Sequence, residues 1–542
     1  MTDMNSTGKL THLPNEVLSA EALKSLPAAF QNAEFCCALG EQALKEGRFE
    51  AALDFFQKAV ELDSGSAHGW FGQGMANTNM KEYAASLDFF RKVLELNPKL
   101  AIAHHNLGRS MHEIGQADLA YQSFQKSINL GFDETRRDVA ITIPGVPSAS
   151  NQTILTERKK WADGLLRIQD NKRKNSAPIK DRGKPCLKVG YVSAFFHKEN
   201  WMKPVWGLIN QHDREKFQIH LFSDHTKLTP AIENILEPGD CFHDISDLSD
   251  EQAAAKIAAV EIHILVDLNG YSYPERFPVF LRRPAPLTVG WFNMYATTGF
   301  DCFDYLIGDD CVIPANEESF YTEQIMRVPG SYLTFSVAYN VPEVSEPPCI
   351  DNGFITFGSL ISQYKITDQV IESWCQILNR SPDSRILIRN AALGKLSNRK
   401  YLRSQFADRG ISPERVSLEG PASHFEFLET YSRIDIALDA FPYNGGTTTT
   451  EAIWQGVPVV AFWGDRWVSR TSATLLRAAN LDEMVAHDLP GYILLATQLA
   501  SDYDKLANLR RNMRKNLMGS KACDTVAFAR SMEQLYREIW EK

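Results

Sequence analysis

The sequence predicts an all-α repeat array followed by two α/β domains, each built on a parallel sheet. Three observations support this: a 34-residue period near the start, the loss of that period around residue 135, and two later series in which short apolar runs alternate with helical stretches. Strand–helix alternation favours parallel sheets with right-handed crossovers. The length of 542 residues suits three or four domains at roughly 100–200 residues each.

The 34-residue period is marked first by glycines, at Gly40, Gly74 and Gly108. A small residue and a phenylalanine recur at the same interval in each copy: Ala52 and Phe56, Ser86 and Phe90, Ala120 and Phe124. This pattern resembles the tetratricopeptide repeat, in which each copy is a helical hairpin. We expect a repeat domain over 1–135, with three copies from about residue 33 after a partial repeat or cap. Such arrays present a concave protein-binding surface; a spacer or a dimerisation module is the alternative.

The segment 136–185 is predicted to connect the array to the first α/β domain. It contains a Pro- and Ser-rich stretch over 141–150, an amphipathic helix over 153–169 and a polar loop over 171–185. Prolines and serines in such clusters are typical of loops.

Short apolar runs place the predicted strands. In the first α/β domain, 186–345, they lie within 187–196, 217–224, 262–270, 287–293 and 305–310, with a helix at 252–260. In the second, 346–515, they lie within 354–360, 385–390, 416–420, 434–441 and 457–464, with helices at 367–380, 424–433 and 447–455. A closing helix is expected over 516–542. Ligands of such domains bind at the carboxyl ends of the strands, here in the cleft between the two domains.

Charge and cysteine content narrow the class of partner and the compartment. Lys and Arg total 57 against 67 Asp and Glu, a net charge of -10, which argues against nucleic acid as a partner. The nine cysteines include no CxxC pair, so a reducing, cytoplasmic location fits better than a disulfide framework or a zinc site. No apolar run approaches the ~18 residues of a membrane span.

The stretch DAFPYNGGTTTTE, residues 439–451, predicts an anion site. Gly445 and Gly446 end a turn after a buried strand, and Thr447 and Thr448 begin a helix. Free N–H groups and the helix dipole at such a helix start attract phosphate. Glu451, one turn later, is a candidate acceptor for a ribose hydroxyl. Ordinary N-capping by one threonine is the alternative.

Two basic residues are candidates to meet the same phosphate. Lys365 follows the strand at 354–360 and is expected to point into the cleft, where it would stabilise a diphosphate leaving group. Tyr364, its neighbour, is assigned to the donor side with it. Arg470 follows the last predicted strand and is placed within reach of a phosphate. A surface location is the alternative for Lys365.

Several motifs together resemble the SPINDLY / O-linked N-acetylglucosamine transferase family in its bacterial form. They are the repeats, GYVSAFF, ILVDLNGY, RRPAPLTVGW, the Lys365 segment and FPYNGGTTTTEAIWQGVPVV, across about 34–542. The resemblance implies a GT-B fold and an inverting transfer of N-acetylglucosamine from UDP-N-acetylglucosamine to Ser or Thr of proteins. It also implies that no metal or other cofactor is needed, and that the repeat arm recruits the protein acceptor.

The resemblance carries roles onto individual residues. It makes Lys365 the diphosphate-binding lysine and Thr447 with Thr448 the diphosphate-binding pair. It places Glu451 near the ribose and Ala422 near the base. On the acceptor side it indicates a loop and a histidine, namely Asn269, Gly270, Tyr271 and His263.

One departure from the family concerns the general base. The position where a histidine is usual holds Glu199, and His197 lies two residues earlier. Both are candidate bases. The departure leaves other donors (GDP-fucose, UDP-glucose), an Asn acceptor, and a repeat scaffold that has lost catalysis as alternatives. A homo-oligomer formed through the repeat face also stays open.

Overall fold

The computed structural model describes residues 32–168, 186–198, 200–225 and 237–542. The cap predicted before the first repeat, the polar loop at 171–185 and the candidate base Glu199 lie outside the described residues.

Among the residues that the structure describes, three helical hairpins form the repeat array, as predicted. Their helices are α1 (Ala33–Lys45), α2 (Phe49–Leu62), α3 (Ala67–Asn79), α4 (Tyr83–Leu96), α5 (Ala101–Glu113) and α6 (Ala117–Asn129). The repeated glycine and phenylalanine explain each other: a Cβ on Gly108 would lie 2.6 Å from the Phe124 ring. Phe56 also closes on the next hairpin, because a Cβ on Gly72 would lie 2.2 Å from its ring.

Two helices connect the array to the first α/β domain. They are α7 (Thr135–Thr142) and α8 (Asn151–Ile168), the second close to the predicted helix. Arg158 of α8 is fully buried; its guanidinium donates to Ala140 O, at 3.1 Å, and to Thr297 O, at 2.6 Å. These bonds fix the connector against a loop of the first sheet.

In the described part of the first α/β domain, seven parallel strands form one sheet in the order β3-β2-β1-β4-β5-β6-β7. The strands are β1 (Leu187–Ser193), β2 (Phe217–Ser223), β3 (Cys241–Asp244), β4 (Ile264–Asp267), β5 (Leu287–Gly290), β6 (Tyr305–Gly308) and β7 (Gln324–Arg327). Helices α9 (Lys203–Ile209), α10 (Asp250–Val260) and α11 (Phe277–Leu281) connect some of them. The five predicted strands are present; the two edge strands β3 and β7 are short and partly polar, so the apolar pattern missed them.

The second sheet has six parallel strands in the order β10-β9-β8-β11-β12-β13. The strands are β8 (Thr356–Ser359), β9 (Arg385–Arg389), β10 (Val416–Glu419), β11 (Ile436–Leu438), β12 (Val459–Phe462) and β13 (Val485–Ala486). Its helices are α12 (Cys349–Asn352), α13 (Asp368–Arg380), α14 (Leu396–Ala407), α15 (His424–Glu429), α16 (Thr447–Trp454), α17 (Thr471–Ala478) and α18 (Leu489–Ala500). The five predicted strands are again present, and the sequence missed the two-residue β13.

Two C-terminal helices end the chain: α19 (Tyr503–Met518) and α20 (Thr525–Glu541). Helix α20 packs back on the first sheet, where the Tyr536 hydroxyl lies 3.2 Å from the Tyr191 hydroxyl. Glu533 of the same helix accepts a hydrogen bond from Asp213 N at 2.7 Å. The last helix therefore belongs to the core of the first domain although it follows the second in sequence. No helix in the described part of the chain is long and apolar enough to cross a bilayer.

A buried carboxylate joins the two α/β domains. Asp309, just after β6, accepts bonds from Cys311 N, Val312 N and Tyr332 N, at 2.9, 2.9 and 2.7 Å. Its fourth bond comes from Thr474 Oγ1 of α17, in the other domain, at 2.7 Å. The interface thus depends on a side chain whose burial raises its pKa.

We expect Asp309→Ala to lower the free energy of unfolding by about 3 kcal/mol, because it leaves buried N–H groups without an acceptor. The measurement is denaturant titration of the full chain. Asp310→Ala is the matched control, since the Asp310 side chain is 90% exposed and exposed ion pairs contribute at most about 1 kcal/mol. Equal losses for the two variants would contradict the role of Asp309.

Candidate active site

The candidate site lies where loops from the carboxyl ends of the two sheets meet. Lys203 of α9, in the first domain, lies 3.7 Å from Glu451 of α16, in the second. Farther along the same cleft, the rings of Tyr295 and Tyr443 are 5.6 Å apart. The site is therefore enclosed by both domains, as the strand–helix pattern predicted.

The turn after β11 is held by Asp439. One of its carboxylate oxygens, Oδ1, accepts from Ala440 N at 2.9 Å and from Gly445 N at 2.7 Å. Asn444 closes the turn by donating from Nδ2 to Ala440 O at 2.7 Å. A Cβ on Gly445 would lie 2.7 Å from Thr448 Oγ1, so glycine is required there for the threonine to fold over the turn.

Helix α16 begins at Thr447 with no side-chain cap among the described residues. Two of its four threonine hydroxyls are used inside the protein: Thr449 bonds to Ser472 Oγ at 2.7 Å, and Thr450 donates to Thr447 O at 2.7 Å. Thr447 and Thr448 are half-exposed at the helix start. The first N–H groups of a helix have no partner within it, so the geometry suits an anion better than simple capping.

Lys365 ends a short 3₁₀ turn (Gln363–Lys365) after β8. Its Nζ donates to Asn444 O at 2.8 Å and lies 4.1 Å from the centre of the Tyr443 ring. Burial lowers the pKa of Lys365 to about 8, against an opposing effect of Asp439. Burial has the opposite effect on the neighbouring carboxylate and raises the pKa of Asp439. The structure thus brings the predicted lysine, glycine turn and threonine pair together.

The Tyr364 ring lies beside Lys365, whose Nζ is 5.9 Å from its ring centre, and packs against two other aromatic rings. It stacks on His112 of the repeat array, with ring centres 5.1 Å apart, and meets the Tyr443 ring edge-on at 5.8 Å. The Tyr364 ring is therefore packed between the His112 and Tyr443 rings, next to Lys365.

Glu451 is buried beside two cationic or titratable groups from different elements. Its Oε1 lies 3.7 Å from Lys203 Nζ and 3.8 Å from His424 Nε2. Burial raises the pKa of Glu451, and Lys203 opposes that rise. Ala422 lies two residues before His424 and lines a cavity of about 720 Å³. The carboxylate predicted near the ribose is therefore already part of an ion pair across the cleft.

Asn269 and Gly270 follow β4 at the cleft. Asn269 Oδ1 accepts from Ala194 N at 2.8 Å, which ties together the loops after β4 and β1. Asp267 Oδ1 accepts a hydrogen bond from Asn269 N at 2.9 Å, and burial raises the pKa of Asp267 to about 7. A Cβ on Gly270 would lie 2.3 Å from Asn293 O, so this glycine permits a close backbone approach.

Tyr271 does not line the acceptor side. It is 5% exposed, its hydroxyl donates to Thr298 O at 2.6 Å, and the Arg158 guanidinium lies 3.6 Å from its ring centre. The side chain is buried against the connector helix α8, where its ring centre also lies 5.6 Å from that of Trp161.

His263 and Arg470 are also corrected by the structure. His263 precedes β4 rather than following it; its Nδ1 accepts from Lys188 N at 3.1 Å and its ring stacks on Trp540 at 4.6 Å. Arg470 is buried and makes a two-point ion pair with Glu317, at 2.7 and 2.9 Å. His263 thus lies at the amino end of its strand, away from the carboxyl ends where the site was predicted. The charge of Arg470 is neutralised by Glu317.

His197 follows β1 at the cleft. Its ring stacks on His225, with centres 3.9 Å apart, and its buried Nδ1 has no hydrogen-bond partner among the described residues. Burial lowers the pKa of His197, which favours the neutral form that accepts a proton.

Sequence reasoning missed three residues of this site. Asp439 directly follows a strand, a position that favours functional carboxylates. Tyr295 has a left-handed φ of 57°. Such strained conformations are common at functional sites, but the sequence does not reveal this one. Lys203 is revealed only by its contact with the other domain.

Repeat hairpins followed by two parallel-sheet domains that share one cleft define a GT-B architecture with a tetratricopeptide-repeat arm. The model of glycosyl transferase family 41 matches residues 168–346 and 348–532, and tetratricopeptide-repeat models match 33–66 and 67–100. These matches cover most of the sequence. The chain belongs to glycosyl transferase family 41.

Named relatives agree with the family. The chain is 29% identical over 404 residues to a probable UDP-N-acetylglucosamine--peptide N-acetylglucosaminyltransferase SPINDLY of Petunia hybrida, covering 73% of this chain and 43% of the relative. The tomato (Solanum lycopersicum) protein of that name is 30% identical over 361 residues, covering 66% and 39%. The chain therefore spans less than half the length of these curated relatives.

A solved structure agrees over nearly the whole chain. A mutant of the Thermobaculum terrenum O-GlcNAc transferase has a TM-score of 0.78 at 25% identity, covering 94% of this chain and 97% of its own. The resemblance drawn from the motifs and the predicted fold class are confirmed.

Because burial lowers the pKa of Lys365 to about 8, we expect its amine to be half neutral near that pH. Acylation of Lys365 should then have a rate midpoint about 2 pH units below that of an ordinary lysine. Labelling of the full chain across a pH series, read by peptide mass spectrometry, measures the midpoint, and the exposed Lys400 is the internal control. A midpoint near pH 10 would refute the burial argument.

Proposed function

We propose that the chain is an inverting glycosyltransferase that moves a sugar to Ser or Thr hydroxyls of proteins. We favour UDP-N-acetylglucosamine as the donor because the relatives carry that donor in their names. The observation that carries the proposal is the 2.8 Å hydrogen bond from Lys365 Nζ to Asn444 O. It holds an ammonium beside the glycine turn and the start of α16.

In the proposed reaction, the acceptor hydroxyl oxygen bonds to the anomeric carbon on the face opposite the diphosphate. The bond from that carbon to the diphosphate oxygen breaks, and its electron pair stays on the diphosphate. Lys365 and the first N–H groups of α16 stabilise that charge. Thr447 and Thr448 are proposed to bind the phosphate oxygens.

The hydroxyl proton needs an acceptor, and His197 is our candidate. Its unpartnered Nδ1 and the direction of its pKa support the role. Glu199 stays a second candidate, outside the described residues. Asn269 and Gly270 are proposed to border the acceptor.

No metal is proposed to take part, because Lys365 and the helix start supply positive charge at the diphosphate. The repeat arm is proposed to recruit the protein acceptor, as such arrays present concave binding surfaces. Nine free thiols support a reducing, cytoplasmic location.

Replacing Lys365 with Ala should lower turnover by about 100-fold or more, because the leaving group loses its main counter-charge. The assay is sugar transfer to a cell-extract protein mixture with radiolabelled UDP-N-acetylglucosamine. Lys400→Ala, on an exposed face of α14, is the control and should behave as the unmodified chain. Unchanged turnover in the Lys365 variant, with an unchanged melting temperature in both, would refute the assignment.

Nucleotide selectivity tests the donor. We expect UDP and UDP-N-acetylglucosamine to raise the melting temperature of the full chain in a chelator-containing buffer, and GDP and GDP-fucose to raise it less. A larger shift with GDP would replace the donor, and no shift with any nucleotide would favour a scaffold without catalysis. A shift that requires added divalent metal would overturn the metal-independent reaction.

A further inference from the structure

The third repeat touches the turn that carries Lys365. The His112 ring, on α5, stacks on the Tyr364 ring with centres 5.1 Å apart and planes 23° apart. Gly115, two residues past the end of α5, approaches so closely that an added Cβ would lie 2.1 Å from Ile366 O and 3.3 Å from Gln363 O. Backbone atoms on both sides of Lys365 thus rest against one hairpin of the array.

The repeat itself shows that Gly115 is not there for backbone conformation alone. Gly47 and Lys81 occupy the equivalent positions, 34 residues apart, and both have left-handed φ angles, 74° and 63°, beside 89° at Gly115. Lys81 proves that a side chain fits this conformation in the fold. What distinguishes Gly115 is the Ile366 carbonyl, whereas a Cβ on Gly47 would meet nothing within 4 Å.

The contact continues to the ammonium through aromatic rings. Tyr364 lies between His112 and Tyr443, and the Tyr443 ring centre lies 4.1 Å from Lys365 Nζ. A displacement of the turn by the hairpin would therefore move both the lysine and the ring beneath it.

The array also has an attachment to the second domain that avoids this turn. Asn398 of α14 donates from Nδ2 to Lys81 O at 2.8 Å and accepts from Ala84 N at 3.0 Å. Docking of the array thus does not depend on Gly115 alone, so a change there can alter the turn without releasing the array.

We propose that Gly115 and His112 are positioning residues of the active site, which hold the Lys365 turn against the Asn444 carbonyl. The array is then part of the donor site and does more than recruit the acceptor. The catalytic meaning of this role rests on the proposed function of Lys365; the structural role does not.

The test compares Gly115→Ala with the matched control Gly47→Ala in the full chain. The first readout is the pH midpoint of Lys365 acylation, which needs no nucleotide. Loosening the turn admits water to the ammonium, so in Gly115→Ala we expect the midpoint to rise from about 8 by about one unit or more. In Gly47→Ala we expect no change.

The titratable groups that face Lys365 do not obscure the pH midpoint of its acylation. Asp439 is the acidic group that opposes the lowered pKa. Burial raises the pKa of Tyr364 to about 12 and holds that of Tyr443 well above its usual value, so both tyrosines stay neutral across the range.

The second readout is UDP affinity by calorimetry, with no acceptor present. We expect about a tenfold loss in Gly115→Ala and less than twofold in Gly47→Ala. His112→Ala, which removes only the ring stack, should shift both readouts in the same direction by less, and it serves if the alanine at 115 prevents folding.

An unshifted midpoint in Gly115→Ala and His112→Ala, with UDP affinity equal to that of Gly47→Ala, overturns the proposal. A shifted midpoint in a chain that binds neither UDP nor GDP supports the positioning role and refutes the proposed function instead. A loss of protein glycosylation with both readouts unchanged would leave the array a recruiting arm only.

Discussion

The candidate site depends on one buried carboxylate, that of Asp439. Its Oδ1 accepts hydrogen bonds from two backbone N–H groups of the turn that follows β11. The Asn444 carbonyl of the same turn accepts a hydrogen bond from Lys365. Burying a carboxylate is costly unless hydrogen bonds and an opposite charge compensate. The two N–H groups and the nearby charge of Lys365 offset part of that cost, so the lysine, the glycine turn and the start of α16 are held by a single local network.

Two pairs of oppositely charged residues join the two α/β domains. Lys203 and Glu451 are 3.7 Å apart, and Glu317 and Arg470 form a two-point pair. Removing one member of such a pair leaves the other charge buried and unpaired. The relative position of the two sheets is therefore fixed by electrostatics as well as by packing.

Much of this architecture follows from local pattern. Strong apolar runs predicted ten strands, and the 34-residue spacing of glycines predicted the hairpins because each glycine receives a phenylalanine ring. Lys365 and Thr447 were singled out as candidates because each follows a buried strand with distinctive neighbours. The edge strand Gln324–Arg327 was not predicted, because a strand with one unpaired edge carries little apolar signal.

Position beside a strand was not enough to assign a role, and Lys365 and Arg470 show why. Both follow strands of the second sheet, yet Arg470 is neutralised by Glu317, a residue more than a hundred positions earlier. Lys365 donates instead to a carbonyl and lies over a ring, so its charge is not cancelled by a direct ion pair. Tyr271 fails similarly, because Arg158 of the connector covers its ring. What makes a residue available for chemistry is the absence of a better partner in the folded chain, and that partner comes from long-range contacts that local sequence does not encode.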